Sequence, residues 1–388
     1  MTGSLARFVH VEAAGGLVLL AAAVVALVWA NSPWSDAYRR LWHFALPVSI
    51  GTGKTATVGF WIDDGLMTLF FLVVGLELHR EIREGALANA RLAALPAIAA
   101  AGGMLAPALL YLAVDHGLVL RRGWAVPAPT DIAFAVGVLA LLGPRVPRAL
   151  RALLLALAII DDIGAILVIA LFYSQRIAVM GLMVAAAAAV AVLLLGRLGA
   201  RWRIVYAAAG VVIWIGLLRA GVHPALTGVI LGFLIPASPS AEAPAGSAAS
   251  RLEQALHPWV AYGIMPLFAL ANAGVNLHGI AWESALELKL VAGVALGLAC
   301  GKPIGILLAT LAAVKLRLSE LPRGVTVRGI VLIGCLGGIG FTMSIFIAEL
   351  AFTEPALLAA AKLGTLIGSG CAALIGLLLG PWLLPRRG

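Results

Sequence analysis

Long apolar runs alternate with short polar or basic stretches along the whole chain. They fall near 13–30, 60–78, 94–114, 123–143, 150–172, 178–196, 204–219, 222–236, 258–275, 290–313, 328–350 and 356–380. At 1.5 Å per residue, most are long enough for a helix to cross a hydrocarbon layer of roughly 30 Å. About twelve spans, of which 222–236 is the shortest, predict an all-α polytopic membrane protein. The first run reaches spanning length without a cleavage signal and reads as a retained helix. Between the first two spans, 44–59 is rich in Val, Ile and Thr around a Gly-containing turn, which predicts a small β-hairpin. The Ala/Ser/Pro-rich stretch 236–250 reads as a flexible linker.

Composition supports this picture. The 388 residues are 62% hydrophobic and only 12% charged, whereas soluble domains average about 45–50% and 25%. The net charge of +9 does not imply nucleic acid, because the basic residues are scattered between apolar runs. Most of them fall in segments that share a side with both termini, which places the termini in the cytoplasm and the hairpin outside. Cys300, Cys335 and Cys371 lie far apart inside apolar runs and read as small buried hydrophobes, without metal or disulfide spacing. Gly51, Gly53, Lys54 and Thr55 superficially suggest a phosphate loop, but Val48 stands where that motif needs Gly, so nucleotide binding is excluded.

Asp161 and Asp162 sit about 17 Å into the run from Leu150 to Phe172, close to the bilayer midplane. Each charge there costs about 2.5–3.5 kcal/mol on insertion scales, so intramembrane carboxylates mark function. Three more features share this depth. Thr130 and Asp131 follow Pro127 and Pro129, which break the fourth span. Lys302 lies in the tenth, and glycines at 337, 338 and 340 interrupt the eleventh. Two interrupted spans in the two halves of a chain point to an inverted-repeat transporter core, here 94–172 and 290–380, within one membrane domain over 1–388. Asp131 is placed to offset the positive N-terminal ends of broken helices, and Lys302 their negative C-terminal ends. Oxygen-rich chemistry without a Cys/His cluster suits a hard cation and protons.

The stretches Pro-Thr-Asp-Ile-Ala-Phe-Ala (129–135), Ala-Ile-Ile-Asp-Asp-Ile-Gly-Ala-Ile (158–166), Gly-Lys-Pro (301–303) and Gly-Ile-Gly-Phe-Thr-Met-Ser (338–344) closely resemble the NhaA-type sodium/proton antiporters. The resemblance runs in order from about residue 7 to residue 382. It implies a twelve-helix bundle that exchanges Na⁺ or Li⁺ for protons electrogenically, exporting Na⁺, with no cofactor beyond the transported ions. It also implies a homodimer formed partly through the outer hairpin. Asp162 would be the principal ion ligand, Asp161 the proton carrier and partner of Lys302. Thr130 and Asp131, with Gly338 and Gly340 in the second break, would support the site.

A pH-responsive cluster at the cytoplasmic mouth would match Glu77, Arg80, Glu81, Glu253 and His257; the same residues also read as a solvated helix end. Ser250 and Gln254 depart from family members that carry Lys and His there. Asp64 reads either as an outer-pathway carboxylate or as a helix-start acid. His223 is a weaker pH-modulating candidate or a helix cap. An aspartyl protease would leave the second Asp and the Lys without a role. A cation-coupled solute symporter is the remaining alternative.

Overall fold

A computed structural model describes residues 2–49, 55–114, 117, 119–174, 178–197, 203–236, 247–277 and 284–384. The chain is mostly helical and divides into two compact units. Among the described residues, six helices are long and apolar enough to cross a membrane: Val58–Glu84, Ala90–Val114, Arg148–Phe172, Val179–Gly196, Ala285–Lys315 and Pro355–Leu383. The number reaches eight if two bent helix pairs are each taken as one span. The runs expected at 123–143 and 222–236 hold only short helices, Ile132–Leu141 and Leu226–Leu234. Length and apolarity alone therefore stop short of twelve.

The first unit comprises Met1–Ser35, Asn89–Ala165 and Asn272–Gly388. Its helices are Thr2–Ala30, Ala90–Val114, Ile132–Leu141, most of Arg148–Phe172, Ala285–Lys315, Val327–Gly337, Phe341–Ala351 and Pro355–Leu383. Ala90–Val114 and Ala285–Lys315 touch backbone to backbone. A Cβ on Gly305 would lie 2.2 Å from the Gly102 carbonyl oxygen, so glycine is needed for the approach. That contact seats Lys302 in the middle of the unit. A π-helical turn, Gly297–Gly301, immediately precedes Lys302 and Pro303. Pro303 offers no N–H, and a widened turn is one way a helix absorbs such a residue.

The second unit comprises Asp36–Ala88 and Ile166–Ala271. Strands Ala45–Ser49 and Thr55–Thr57 pair antiparallel, with Ala45 opposite Thr57 and Ser49 opposite Thr55. Their connection at 50–54, which includes Gly51, Gly53 and Lys54, lies outside the described residues. A short helix, Ser35–Trp42, precedes them; it buries Tyr38 and Trp42 and exposes Asp36 and Arg39. Most of the expected 236–250 linker also lies outside the described residues. Its last three residues are helical instead, because Ser247 accepts a hydrogen bond from the Ser250 N–H at 3.1 Å and caps Ala248–Trp259.

Many large apolar side chains are exposed, among them Leu17, Val28, Leu105, Leu109, Leu171 and Leu308, while Asp131, Asp161, Asp162 and Lys302 are buried. This inversion corrects one expectation. Cys335 is buried, but Cys300 and Cys371 are exposed. Lipid solvates small apolar side chains as well as a protein core does, so an apolar run alone does not distinguish the two.

Candidate functional site

Two breaks and two continuous helices, Arg148–Phe172 and Ala285–Lys315, build the site, and the residues that form it all belong to the first unit. A 3₁₀ turn, Leu120–Ala125, gives way to non-helical chain through Pro127 and Pro129, and helix resumes at Ile132 with Asp131 as its N-cap. Val327–Gly337 and Phe341–Ala351 meet at 47° across residues 338–340. The two broken segments are joined directly, since the Asp131 N–H donates to the Ile339 carbonyl at 2.7 Å. Neither Gly338 nor Gly340 has a positive φ. Their need is for space: a Cβ on Gly338 would lie 2.4 Å from the Leu298 carbonyl, and one on Gly340 2.2 Å from Ser344 Oγ.

Asp131 serves both helix starts. One carboxylate oxygen accepts from the Phe134 N–H at 3.0 Å. The other accepts from the Thr342 N–H at 3.0 Å and the Thr342 hydroxyl at 2.5 Å. Ser369 Oγ accepts from the Phe341 N–H at 3.1 Å. The orphan donors of two buried helix ends thus find partners, and one negative charge faces two partial positive ones.

Lys302 and Asp161 are fully buried and form an ion pair of 2.7 Å. The ammonium also donates to the Ala128 carbonyl in the first break. Thr130 Oγ1 lies 2.6 Å from the same Asp161 oxygen, Oδ2, and 2.9 Å from the Gly337 carbonyl at the end of Val327–Gly337. Asp161 Oδ1 is buried and has no hydrogen-bond partner among the described residues. Asp162, next in the chain, is 2% exposed. Thr130, Asp161 and Lys302 are therefore brought together by direct contacts, and Asp131 follows Thr130 in the chain while bonding to the second break.

The other candidates belong to the second unit and form two groups. Arg80 Nη2 lies 3.3 Å from Glu253, 3.8 Å from Glu81 and 3.9 Å from Glu77. Burial pushes the Glu253 carboxyl above its usual range; the charges of Arg80 and His257 pull it back, and Glu81 pushes it up again. Gln254 donates to Ser250 Oγ at 3.3 Å. His223 Nε2 lies 3.2 Å from Asp64 Oδ1, and the Asp64 carbonyl accepts from the Trp214 indole at 3.1 Å. Sequence reasoning treated His223 and Asp64 separately, because nothing in either stretch signals a partner so far along the chain. It also missed Thr342 and Ser369. Glu349 and Lys362, which pair at 2.8 Å, were missed as well.

Ionisable groups gathered in a dry interior, where helices end inside an apolar-surfaced bundle, define a membrane ion transporter rather than an enzyme. The chain belongs to the Na⁺/H⁺ antiporter 1 family, whose profile matches residues 6–379. It is 53% identical to Na⁺/H⁺ antiporter NhaA 2 of Sorangium cellulosum (strain So ce56), over 97% of this chain and 89% of that one. It is also 53% identical to Na⁺/H⁺ antiporter NhaA of Acidovorax sp. (strain JS42), over 99% and 93%. The NhaA antiporter of Janthinobacterium sp. (strain Marseille) is 48% identical over 99% and 94%. These likenesses give no support to a solute symporter.

Proposed function

We propose that this chain, a multi-pass protein of the bacterial inner membrane, exports Na⁺ or Li⁺ in exchange for a larger number of protons. The bound ions are its substrates, and Asp161, Asp162, Thr130 and Lys302 carry the exchange. One observation carries this reading. Lys302 and Thr130 both meet Asp161 Oδ2, leaving Oδ1 buried beside Asp162 in the chain with no hydrogen-bond donor among the described residues. A dry carboxylate oxygen of this kind calls for a proton or a cation. Asp162 is taken as the principal ligand, Asp161 as the proton carrier, and Asp131, Gly338 and Gly340 as the frame.

Protons and Na⁺ then compete for the same oxygens. Reorientation is easiest when the site's charge is neutralised by either, since an empty, doubly charged site is costly to occlude. That constraint alone produces exchange. Apparent Na⁺ affinity is expected to weaken as pH falls, by about tenfold per unit for each proton displaced. Proteoliposomes at symmetrical pH measure this directly. A pH-independent affinity with a falling maximal rate would point instead to a remote switch.

The fold is read as twelve crossings with inverted repeats over 94–172 and 290–380 and both termini cytoplasmic, and Arg80 with its three glutamates and His257 as a pH-responsive group. Asp64 and His223 are read as an outer-pathway pair. The raised Glu253 pKa means that the folded state holds this proton more tightly than the unfolded chain does. Its contribution to stability is full below the unfolded value and is lost as pH rises through the folded one. Glu253→Gln keeps the neutral form at every pH, so the rise of transport with pH should move to more alkaline values. An unmoved profile in vesicles would leave Glu253 a structural role only. The paired strands at 45–57 present backbone edges to a second copy. A homodimer through this hairpin should lose population when the strands are deleted, as native mass spectrometry would reveal.

A further inference from the structure

Arg151 lies in the first turn of Arg148–Phe172, the helix that carries Asp161 and Asp162. Its guanidinium reaches back to the preceding element: Nη2 donates to the Gly143 carbonyl at 2.9 Å. Gly143 lies just beyond Leu142, the C-cap of Ile132–Leu141, the half-helix whose N-cap is Asp131, next to Thr130. The turn there is sharp, with Gly143 at φ +70°, a conformation that glycine adopts without strain. A positive charge at that point also meets the negative end of the half-helix dipole.

A small cavity is lined by Val136, Leu139 and Ala140 of the half-helix and by Arg151 and Leu155 of its neighbour. Nε of Arg151 is buried with no hydrogen-bond partner among the described residues. Beside this cavity, the Arg151–Gly143 bond ties the first turn of the carboxylate helix to the turn that follows the half-helix and supplies a restraint between them.

We propose that Arg151 is a positioning residue for the ion site: it holds the far end of Ile132–Leu141 against the carboxylate helix, and so holds Thr130 against Asp161. This rests on the reading of Thr130 and Asp161 as part of the ion site. The ordinary explanation of Arg151, a basic residue that orients the chain in the membrane, predicts an effect on inserted protein alone.

The experiment uses the full-length chain in proteoliposomes, with Na⁺ dependence measured per inserted protein for Arg151→Ala, Arg151→Gln, Arg151→Lys and Thr130→Ala. Arg151→Ala should raise the apparent KM for Na⁺ by about tenfold while the maximal rate stays within about twofold. Arg151→Lys, which keeps a charged donor, should restore most of the affinity, and Arg151→Gln should fall between. If Arg151→Ala fails to insert, the Gln variant carries the same test. An unchanged KM in the Arg151 variants, with or without reduced insertion, overturns the positioning role. Thr130→Ala separates the two ideas. A raised KM there beside unaffected Arg151 variants removes only the positioning role, whereas an unchanged KM in Thr130→Ala removes the site reading and the positioning role with it.

Discussion

Asp162→Asn is expected to abolish Na⁺-driven dissipation of a pH gradient in inverted vesicles, while the protein still folds and inserts. Asn has nearly the shape of Asp, so packing around a side chain that is 2% exposed is preserved. What disappears is one negative charge from the proposed cation site. Removing one partner of a buried charge pair is worth about 3–5 kcal/mol, or about two to three and a half orders of magnitude in affinity. Asp161→Asn should behave differently. Its carboxylate is already engaged by Lys302 at 2.7 Å and Thr130 at 2.6 Å, so the variant releases an ammonium from its counter-ion. Na⁺ binding that survives without proton coupling is the expected signature. Wild-type exchange by Asp162→Asn would move the principal ligand elsewhere.

Much of the candidate site was legible because a membrane makes polar residues conspicuous. Two carboxylates and a lysine at mid-depth stand out from any apolar run, and Pro127, Pro129 and the glycines at 337, 338 and 340 mark where helix fails. What hydropathy lacks is direction. It did not distinguish lipid from core for Cys300 and Cys371, because both environments are apolar. Nor did it single out Ser369, one small residue among many in Pro355–Leu383, as the acceptor for the Phe341 N–H. Arg151 looked like one basic residue of a cytoplasmic set, and its bond to Gly143 depends on a turn geometry that no spacing rule encodes. The helix Ser35–Trp42 went unread because it is short and polar between two dominant apolar runs. Long-range pairs such as His223 with Asp64 become visible only once the chain is folded.

Asp131→Ala is expected to be strongly destabilising, and Asp131→Asn to separate its two tasks. The carboxylate is 1% exposed and accepts from the Phe134 N–H, the Thr342 N–H and the Thr342 hydroxyl. Alanine removes an N-cap worth about 1 kcal/mol and orphans two further buried donors at about 1–3 kcal/mol each. The sum, about 3–7 kcal/mol, is a large part of the 5–15 kcal/mol that typically holds a domain together. Asparagine keeps one good acceptor oxygen but puts an amide NH₂ where the second oxygen stood, so its loss should be intermediate. Thermal unfolding in detergent should rank the three Asp, Asn, Ala, and an alanine variant as stable as the parent would refute the double cap.

The charge has its own consequence. Two helix N-termini contribute roughly half a positive charge each, which one carboxylate cancels. In Asp131→Asn that cancellation is lost, and the dry interior gains about one positive charge near Thr130. A cation should then bind more weakly, raising the apparent KM for Na⁺ even in the fraction that remains folded. A stability loss without that change in KM would confine Asp131 to holding the two broken helices together. Both losses together would mean that the same carboxylate builds the frame and sets the potential that Na⁺ meets within it.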